Sequence, residues 1–321
     1  MTETTSEIFE KYQVRKTKKQ KVAFREYIRG ITENEGYSYK EEKGYCGAKN
    51  IVIGDPDNAK VIYTAHYDTC ARLPFPNFIT PKSIGIYLLY QLLQIIVLAI
   101  IGLIGAYCIG FCIGIICGLL NVDPPMFLVI AIGEIPLLVA LALMLFGPAN
   151  KNTANDNTSG VTLLVDIMLA LPKEDRENVA FVFFDLEETG LWGSAGFASK
   201  HKKVMKETLI VNYDCVSDGD NILLVLPKKM EKSIFEEAYE ADENVRVEIL
   251  NKGVFYPSDQ ANFKRGVGVA ALKKAKKSDL LYMDKIHTNK DTAYREENIE
   301  FLKNASLKLA KKNIKKFLKK Y

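Results

Sequence analysis

Val179-Ala180-Phe181-Val182-Phe183-Phe184-Asp185-Leu186-Glu187-Glu188 is a run of six apolar residues that stops at a cluster of acids. An apolar run without polar alternation reads as a strand buried on both faces, which requires helices on both sides of a sheet. Working outward, residues 50–54, 60–65, 178–184, 208–213, 245–250 and 267–272 read as strands, and residues 159–171, 229–241 and 296–319 read as helices. Strands alternating with helices predict an α/β class: a mixed, mainly parallel central sheet with helices on both faces. No internal repeat or low-complexity linker interrupts it.

The chain has 321 residues, 48% hydrophobic and 26% charged, with 43 basic and 39 acidic side chains for a net charge of +4. That composition suits a folded protein and excludes collagen-like, coiled-coil and disordered chains. The charge is unevenly spread, because residues 83–146 carry only Asp123 and Glu134. Within them two apolar stretches, 84–120 and 126–146, flank the turn signal Asn121-Val122-Asp123-Pro124-Pro125. Each exceeds the roughly 18–20 apolar residues that cross a bilayer, so they read as a transmembrane hairpin, with a buried soluble hairpin as the alternative. As one helix the first stretch would run about 55 Å against a hydrocarbon core of about 30 Å. Tyr87, Tyr90, Gln91 and Gln94 are therefore expected at the interface, with the crossing starting near residue 95. The expected organisation is one discontinuous domain, 1–82 and 148–321, with the hairpin 83–147 inserted. Arg72, Lys82 and Lys151 on the domain side, against Asp123 alone in the turn, place that domain in the cytoplasm by the positive-inside tendency, as an integral membrane protein. The N-terminus offers no apolar signal core. Cysteines 46, 70, 108, 112, 117 and 215 have no paired metal or disulfide spacing and fit a reducing compartment. Lysines 303, 308, 311, 312, 315, 316, 319 and 320, with Leu302, Leu309, Ile314, Phe317 and Leu318 between them, give the last helix a solvated face or a leaflet-binding one. No nucleic-acid module accompanies them, and no nucleic-acid partner is expected.

The chemistry-bearing residues follow apolar strands, where open α/β sheets hold ligands. His66 and Asp68 stand two apart at a strand end, so a carboxylate can hold a ligating imidazole, although Asp68 can equally cap a turn. Asn155-Asp156-Asn157-Thr158-Ser159-Gly160 opens a helix, and its acid alone reads as a cap. The adjacent Glu187 and Glu188 repel each other unless a cation or proton lies between them, or unless the loop is simply solvated. Asp214 ends another apolar strand, and Ile286-His287-Thr288-Asn289-Lys290-Asp291-Thr292 precedes the last helix. The third histidine, His201, sits in a lysine run and reads as solvated. Imidazole and carboxylate donors in this mixture suit zinc, with other divalent metals possible.

Taken together, His66-Tyr67-Asp68, Asn155-Asp156-Asn157, Glu187-Glu188, Asp214 and His287-Thr288-Asn289-Lys290-Asp291 resemble the co-catalytic di-zinc aminopeptidases of metallopeptidase family 28, across nearly the whole chain except the hairpin and the first 40 or so residues. The resemblance implies a zinc exopeptidase-like fold and two Zn2+ ions. It makes Asp156 the bridging carboxylate, with His66 and Asp214 on one ion and Glu188 and His287 on the other. It makes Glu187 the general base and Asp68 the residue that orients His66. It implies a peptide or amide substrate, hydrolysed by a metal-activated water. Tyr256, Ser258 and Asp259 correspond to the family's substrate-pocket loop, but Gln260 stands where a histidine is common, which bears on specificity and leaves the metal set intact. His66 and Asp156 can meet only if the residues between them cross the membrane an even number of times, so the mouth of the site is expected near the bilayer surface. That arrangement could select substrates at the membrane or serve as a plain anchor. Three alternatives to an aminopeptidase are weighed: an amidase or deacylase of lipidated amino-acid amides, a single-zinc glutaminyl cyclase, disfavoured by the second ligand set, and a receptor on the same fold without catalysis. Glu134 reads as a helix-contact or crevice residue. Side-chain preference and oligomeric state are not encoded in these motifs.

Overall fold

The computed structural model describes residues 1–124 and 126–312. Its centre is a nine-stranded mixed sheet of β1 (Tyr39–Lys43), β2 (Lys49–Ile53), β3 (Val61–His66), β4 (Val179–Phe184), β5 (Leu209–Tyr213), β6 (Asn221–Val225), β7 (Arg246–Leu250), β8 (Gly266–Lys274) and β9 (Leu281–Tyr282). The order is β1-β2-β4-β3-β5-β8-β6-β7, with β9 on β8. The middle four strands, β4-β3-β5-β8, are parallel, while β1–β2 and β6 join antiparallel. The unalternated apolar runs are those parallel strands, as two-sided burial demands.

Side chains of period two serve two cores. Tyr63, Phe181, Phe183, Val211 and Val269 face one side, with Phe24 and Ile28 of α2 (Lys18–Asn34), Ile8 of α1 (Glu3–Tyr12), Leu163 and Ile167 of α6 (Gly160–Ala170) and Leu302 of α10 (Glu296–Lys311). Ile62, Val182, Phe184 and Ile210 face the other, against Phe197 of α7 (Trp192–Lys200) and Val204 of α8 (Lys202–Glu207). Each such fully buried aliphatic or aromatic side chain contributes about 1.5–3 kcal/mol. The first 40 residues, outside the resemblance, are thus part of the core. A capping box at Thr17 and Gln20 starts α2, which the apolar periodicity alone did not single out.

Three expectations need correction. Strands β1, β6 and β9 were not expected; β1 is an edge strand whose Tyr-Lys-Glu-Glu-Lys composition carries no apolar alternation. The helix expected over 229–241 forms only as α9 (Ser233–Ala238). The helix expected to run to residue 319 is α10 within the described residues, and lysines 315, 316, 319 and 320 lie outside them.

Two segments are long and apolar enough to cross a membrane, Ile84–Leu120 and Val129–Phe146. The first is one continuous helix, α3. The second is α4 (Met126–Gly133) and α5 (Ile135–Phe146), parted at Glu134 because Pro136, in the first turn of α5, has no N–H to continue the ladder. The hairpin closes where α5 lies against α3: a Cβ at Gly105 would come within 2.5 Å of the Pro136 ring, so glycine there sets the approach. The residues of α3 expected at the interface also touch the domain. Tyr90 Oη donates to the Pro76 carbonyl at 2.7 Å, Gln94 Nε2 reaches the same carbonyl at 3.3 Å, and Tyr87 and Tyr90 pack on Phe255 and Phe78. They fasten the helix to the domain. From Lys16, Nζ donates to the Leu145 carbonyl at the other end of the hairpin.

Candidate metal centre

Parallel strands β3, β4 and β5 end together, and their C-terminal ends carry His66, the turn 185–188 and Asp214. Across from them, the start of α6 brings Asp156, and the loop before α10 brings His287. Their side chains converge on Asp156: His66 Nε2 lies 3.3 Å from its Oδ1, and His287 Nε2 lies 3.1 Å from its Oδ2. His66 Nε2 is also 3.4 Å from Asp214 Oδ1, and His287 Nε2 is 3.2 Å from Glu188 Oε2. Each oxygen of Asp156 therefore faces a different histidine and a different second carboxylate. The residues expected to form the metal set are brought together, every one.

Local structure holds each of them. His66 Nδ1 sits 3.2 Å from the backbone carbonyl of Asp68, which selects the tautomer with the proton on Nδ1 and turns the Nε2 lone pair inward. The Asp68 carboxylate is farther from that ring, 3.7 Å, and instead accepts the backbone N–H groups of Glu187 at 3.0 Å and Glu188 at 3.3 Å. Asp68 thus anchors the glutamate pair with its side chain and His66 with its main chain. The cap that sequence assigned to Asp156 belongs to its neighbour: Asn157 Oδ1 accepts from Gly160 N at 3.1 Å and Cys215 N at 3.2 Å, and its Nδ2 donates to the Tyr213 carbonyl. Asn155 Oδ1 accepts from the amides of Ser217 and Asp218. Asp291 accepts from the amides of Asn155 and Asp156 at 2.9 and 3.0 Å, tying the His287 loop to Asp156. Asp156 is consequently free to point its carboxylate into the site. Leu186, Cys215 and His287 have φ of 57°, 57° and 64°, left-handed backbone that non-glycine residues adopt rarely and that gathers here beside the acids.

The electrostatics report crowding. Burial, joined by Asp214, Asp259 and Glu188, pushes Glu187 well above the ordinary carboxyl range, and His66 only partly offsets this. Burial also raises Glu188. Burial opposes charge on His66, yet the carboxylates of Glu187, Asp156 and Asp214 carry it well above its usual value, and His287 rises likewise beside Glu188 and Asp156. Despite its own burial Asp156 is held well below the carboxylate range by the two imidazoles. Five acids and two imidazoles packed this closely, with the Oε1 of Glu188 buried and meeting no hydrogen-bond partner among the described residues, fit divalent cations, which would neutralise the acids and take the orphaned oxygen. The donor set of imidazole and carboxylate is that of zinc.

A cavity of about 190 Å3 opens over these residues, walled by Tyr256, Pro257, Ile286 and Ile79. Tyr256 Oη donates to the Asp214 carbonyl at 3.0 Å, so Tyr256 reaches the cavity with its hydroxyl already engaged. Ser258 and Asp259 are fully buried and lie outside the cavity wall: Ser258 Oγ accepts from Asn212, and burial pushes the Asp259 carboxyl up to about 7. Gln260, in place of the family's histidine, donates to the Tyr256 carbonyl at 2.6 Å and accepts from Asn212, bracing the loop. Two contributors escaped the sequence motifs. Lys21 of α2 pairs with Asp185 at 2.5 Å beneath the glutamates. Cys70 places its sulfur with Glu188 and His287, the three ligand atoms within 4.8 Å of one another; its one sequence signal is its position two residues past Asp68 in the same loop.

Solved structures share the architecture. The Legionella pneumophila LapA aminopeptidase is 13% identical, covering 96% of this chain and 69% of its own, with a TM-score of 0.53. A Zn-dependent exopeptidase from Parabacteroides distasonis is 15% identical (96% and 94% covered, TM-score 0.53), and the Bacteroides thetaiotaomicron glutaminyl cyclase is 14% identical (96% and 93%, TM-score 0.53). At such identity these likenesses establish the fold. No curated protein sequence matches the chain. The model of peptidase family M28 matches residues 142–310, more than half of the chain, from the end of the second apolar segment through Asp156, Glu187, Glu188, Asp214 and His287. With the zinc exopeptidase architecture around that matched stretch, the chain belongs to peptidase family M28.

Proposed function

We propose that this protein is a membrane-anchored zinc aminopeptidase that hydrolyses N-terminal peptide bonds, with one discontinuous catalytic domain (1–82 and 148–321) and a two-helix anchor (83–147). The observation that carries the catalytic half is Asp156, whose two oxygens face two separate histidine–carboxylate sets at 3.1–3.4 Å. His66, Asp156 and Asp214 would hold one ion, and Asp156, Glu188 and His287 the other. Bound there, such ions would supply Lewis acidity and acidify a water for attack.

The chain's own residues do the rest. Glu187, ordered through its amide by Asp68, accepts the proton of the attacking water and returns it to the leaving amine. Asp68 and Asp291 hold the liganding loops in register, so little reorganisation accompanies the reaction. Tyr256 and Pro257 line the pocket for the cleaved residue.

Membrane anchoring is supported by the surface of the hairpin. Leu119, Phe146 and Tyr107 are 80%, 76% and 74% exposed, and the apolar side chains around them form a surface far larger than a soluble protein leaves bare. A second cavity, lined by Gln91, Gln94, Met144 and Leu145 of the hairpin together with Glu188 and His287, supports the reading that substrates arrive from the bilayer surface. The same cavity favours, as a second reading, an amidase of hydrophobic or lipid-tailed amino-acid amides. With the cytoplasmic domain retained, both readings use one metal chemistry and differ in the pocket.

The test is amine release from a panel of aminoacyl and N-acyl amides by detergent-solubilised protein, with metal content measured on the same sample. Free-amine substrates turned over, about two zinc per chain as in two-metal hydrolases, and a loss of roughly 100-fold to 10,000-fold in Glu187→Gln would support the aminopeptidase. Turnover of N-acyl amides alone would select the amidase. Bound metal with no turnover on any substrate would return the receptor reading.

A further inference from the structure

Cys70 is 3% exposed, in the loop that follows His66 and carries Asp68, and its backbone carbonyl accepts from Asn150 N at 3.2 Å. Tyr67 N donates to the Phe184 carbonyl and Leu73 N to the His287 carbonyl, both at 2.8 Å, so the loop is held on either side of Cys70, which lines the cavity beside Glu188 and His287. The sulfur sits with the ring nitrogen of His287 and a carboxylate oxygen of Glu188, all within 4.8 Å. A separate observation at the same spot also calls for a ligand. The Glu188 side chain is 7% exposed, and its Oε1, though buried, has no hydrogen-bond partner among the described residues.

We propose that the sulfur of Cys70 is a ligand of the ion held by Glu188 and His287, a statement that rests on the two-metal reading above. The thiolate would bring the protein donors available to that ion to four, with Asp156, Glu188 and His287. The ion at His66, Asp156 and Asp214 keeps three protein donors and hence the open position for water and substrate. As the sulfur–metal bond forms, the thiol proton leaves to solvent, so loading this site releases a proton. A sulfur donor makes the two sites chemically unequal: the Cys70 site prefers softer ions, and oxidation of the thiol selectively weakens it.

The full-length protein, stripped of metal in detergent and reloaded with cobalt(II), tests this by its spectrum. With two cobalt ions bound, a near-ultraviolet thiolate-to-cobalt charge-transfer band is expected. It is lost in Cys70→Ser and kept when Cys46, Cys108, Cys112 and Cys117 are all replaced by alanine. Zinc affinity at the weaker site of Cys70→Ser falls by at least the roughly 10–100-fold that removal of a ligand-supporting group costs. A second measurement needs no variant: in the wild type, alkylation of Cys70 by iodoacetamide, followed by peptide mass, is suppressed by metal loading. Two bound cobalt ions without the band, a band that survives Cys70→Ser, or alkylation indifferent to metal overturns the assignment while leaving the two-metal reading in place. Binding of fewer than two ions overturns both.

Discussion

The carboxylate of Asp68 accepts the backbone N–H of Glu187 at 3.0 Å, joining the loop after β3 to the turn after β4 across 119 residues of sequence. Because its second oxygen takes the amide of Glu188 and its own carbonyl takes the ring of His66, one residue sets the positions of the proposed base and of two proposed metal ligands. In Asp68→Asn one of those amides would meet a donor in place of an acceptor. The expected result is a fall in kcat of roughly 10–100-fold, with zinc content also reduced and KM for small amides little changed. A kinetic and metal analysis of the purified variant checks it; unchanged kcat would mean that the backbone turn holds the glutamates without help.

Gly160 opens α6 with no room beside it. A Cβ there would lie 2.4 Å from Asn157 Oδ1 and 2.5 Å from the Tyr213 carbonyl. Gly160→Ala is therefore expected to push the helix start away from β5, to cost about 1–3 kcal/mol, and to loosen Asp156 with it. Thermal unfolding of the apo and loaded protein reads both effects, and a variant of native Tm would show that α6 can shift freely.

Metal removal is expected to destabilise the domain, since carboxylates packed this closely lose their counter-ions. Ions at about 100 times their dissociation constant stabilise by about 2.7 kcal/mol. For a domain of this size that corresponds to a fall in Tm of several degrees on adding a chelator. Calorimetry with and without chelator measures it, and restoration by zinc but not by magnesium is expected from the imidazole and carboxylate donors.

The hairpin is expected to keep the protein in the membrane fraction through carbonate extraction. Replacing residues 83–147 by a short Gly/Ser loop should leave hydrolysis of small soluble amides near that of the whole protein and reduce hydrolysis of amphiphilic amides, because Gln91, Gln94, Met144 and Leu145 would be gone from the second cavity. Equal activity of the two forms on amphiphiles would reduce the hairpin to an anchor.

Much of this molecule is legible in the linear chain for definite reasons. Val179 to Phe184 had to be a doubly covered strand because no polar alternation offers it a wet face, and β4 is buried throughout. The acids and imidazoles that follow such strands each had another reading alone, as caps or solvated loop residues, and only their combination resembled a metal set. The apolar length of Ile84–Leu120 is likewise a property of composition. Edge strands, the capping role of Asn157, the break at Glu134 and the inward-facing sulfur of Cys70 are different in kind. They depend on which side chain meets which partner once distant segments pack, and the same residue types would read identically in a solvated loop. Sequence could mark the candidate donors because the family resemblance rests on short local motifs; only the tertiary structure could decide that Asp68 holds the glutamates, that Asn157 frees Asp156, and that a cysteine lies beside the second histidine, because those are relations of distance between segments that the chain order leaves far apart.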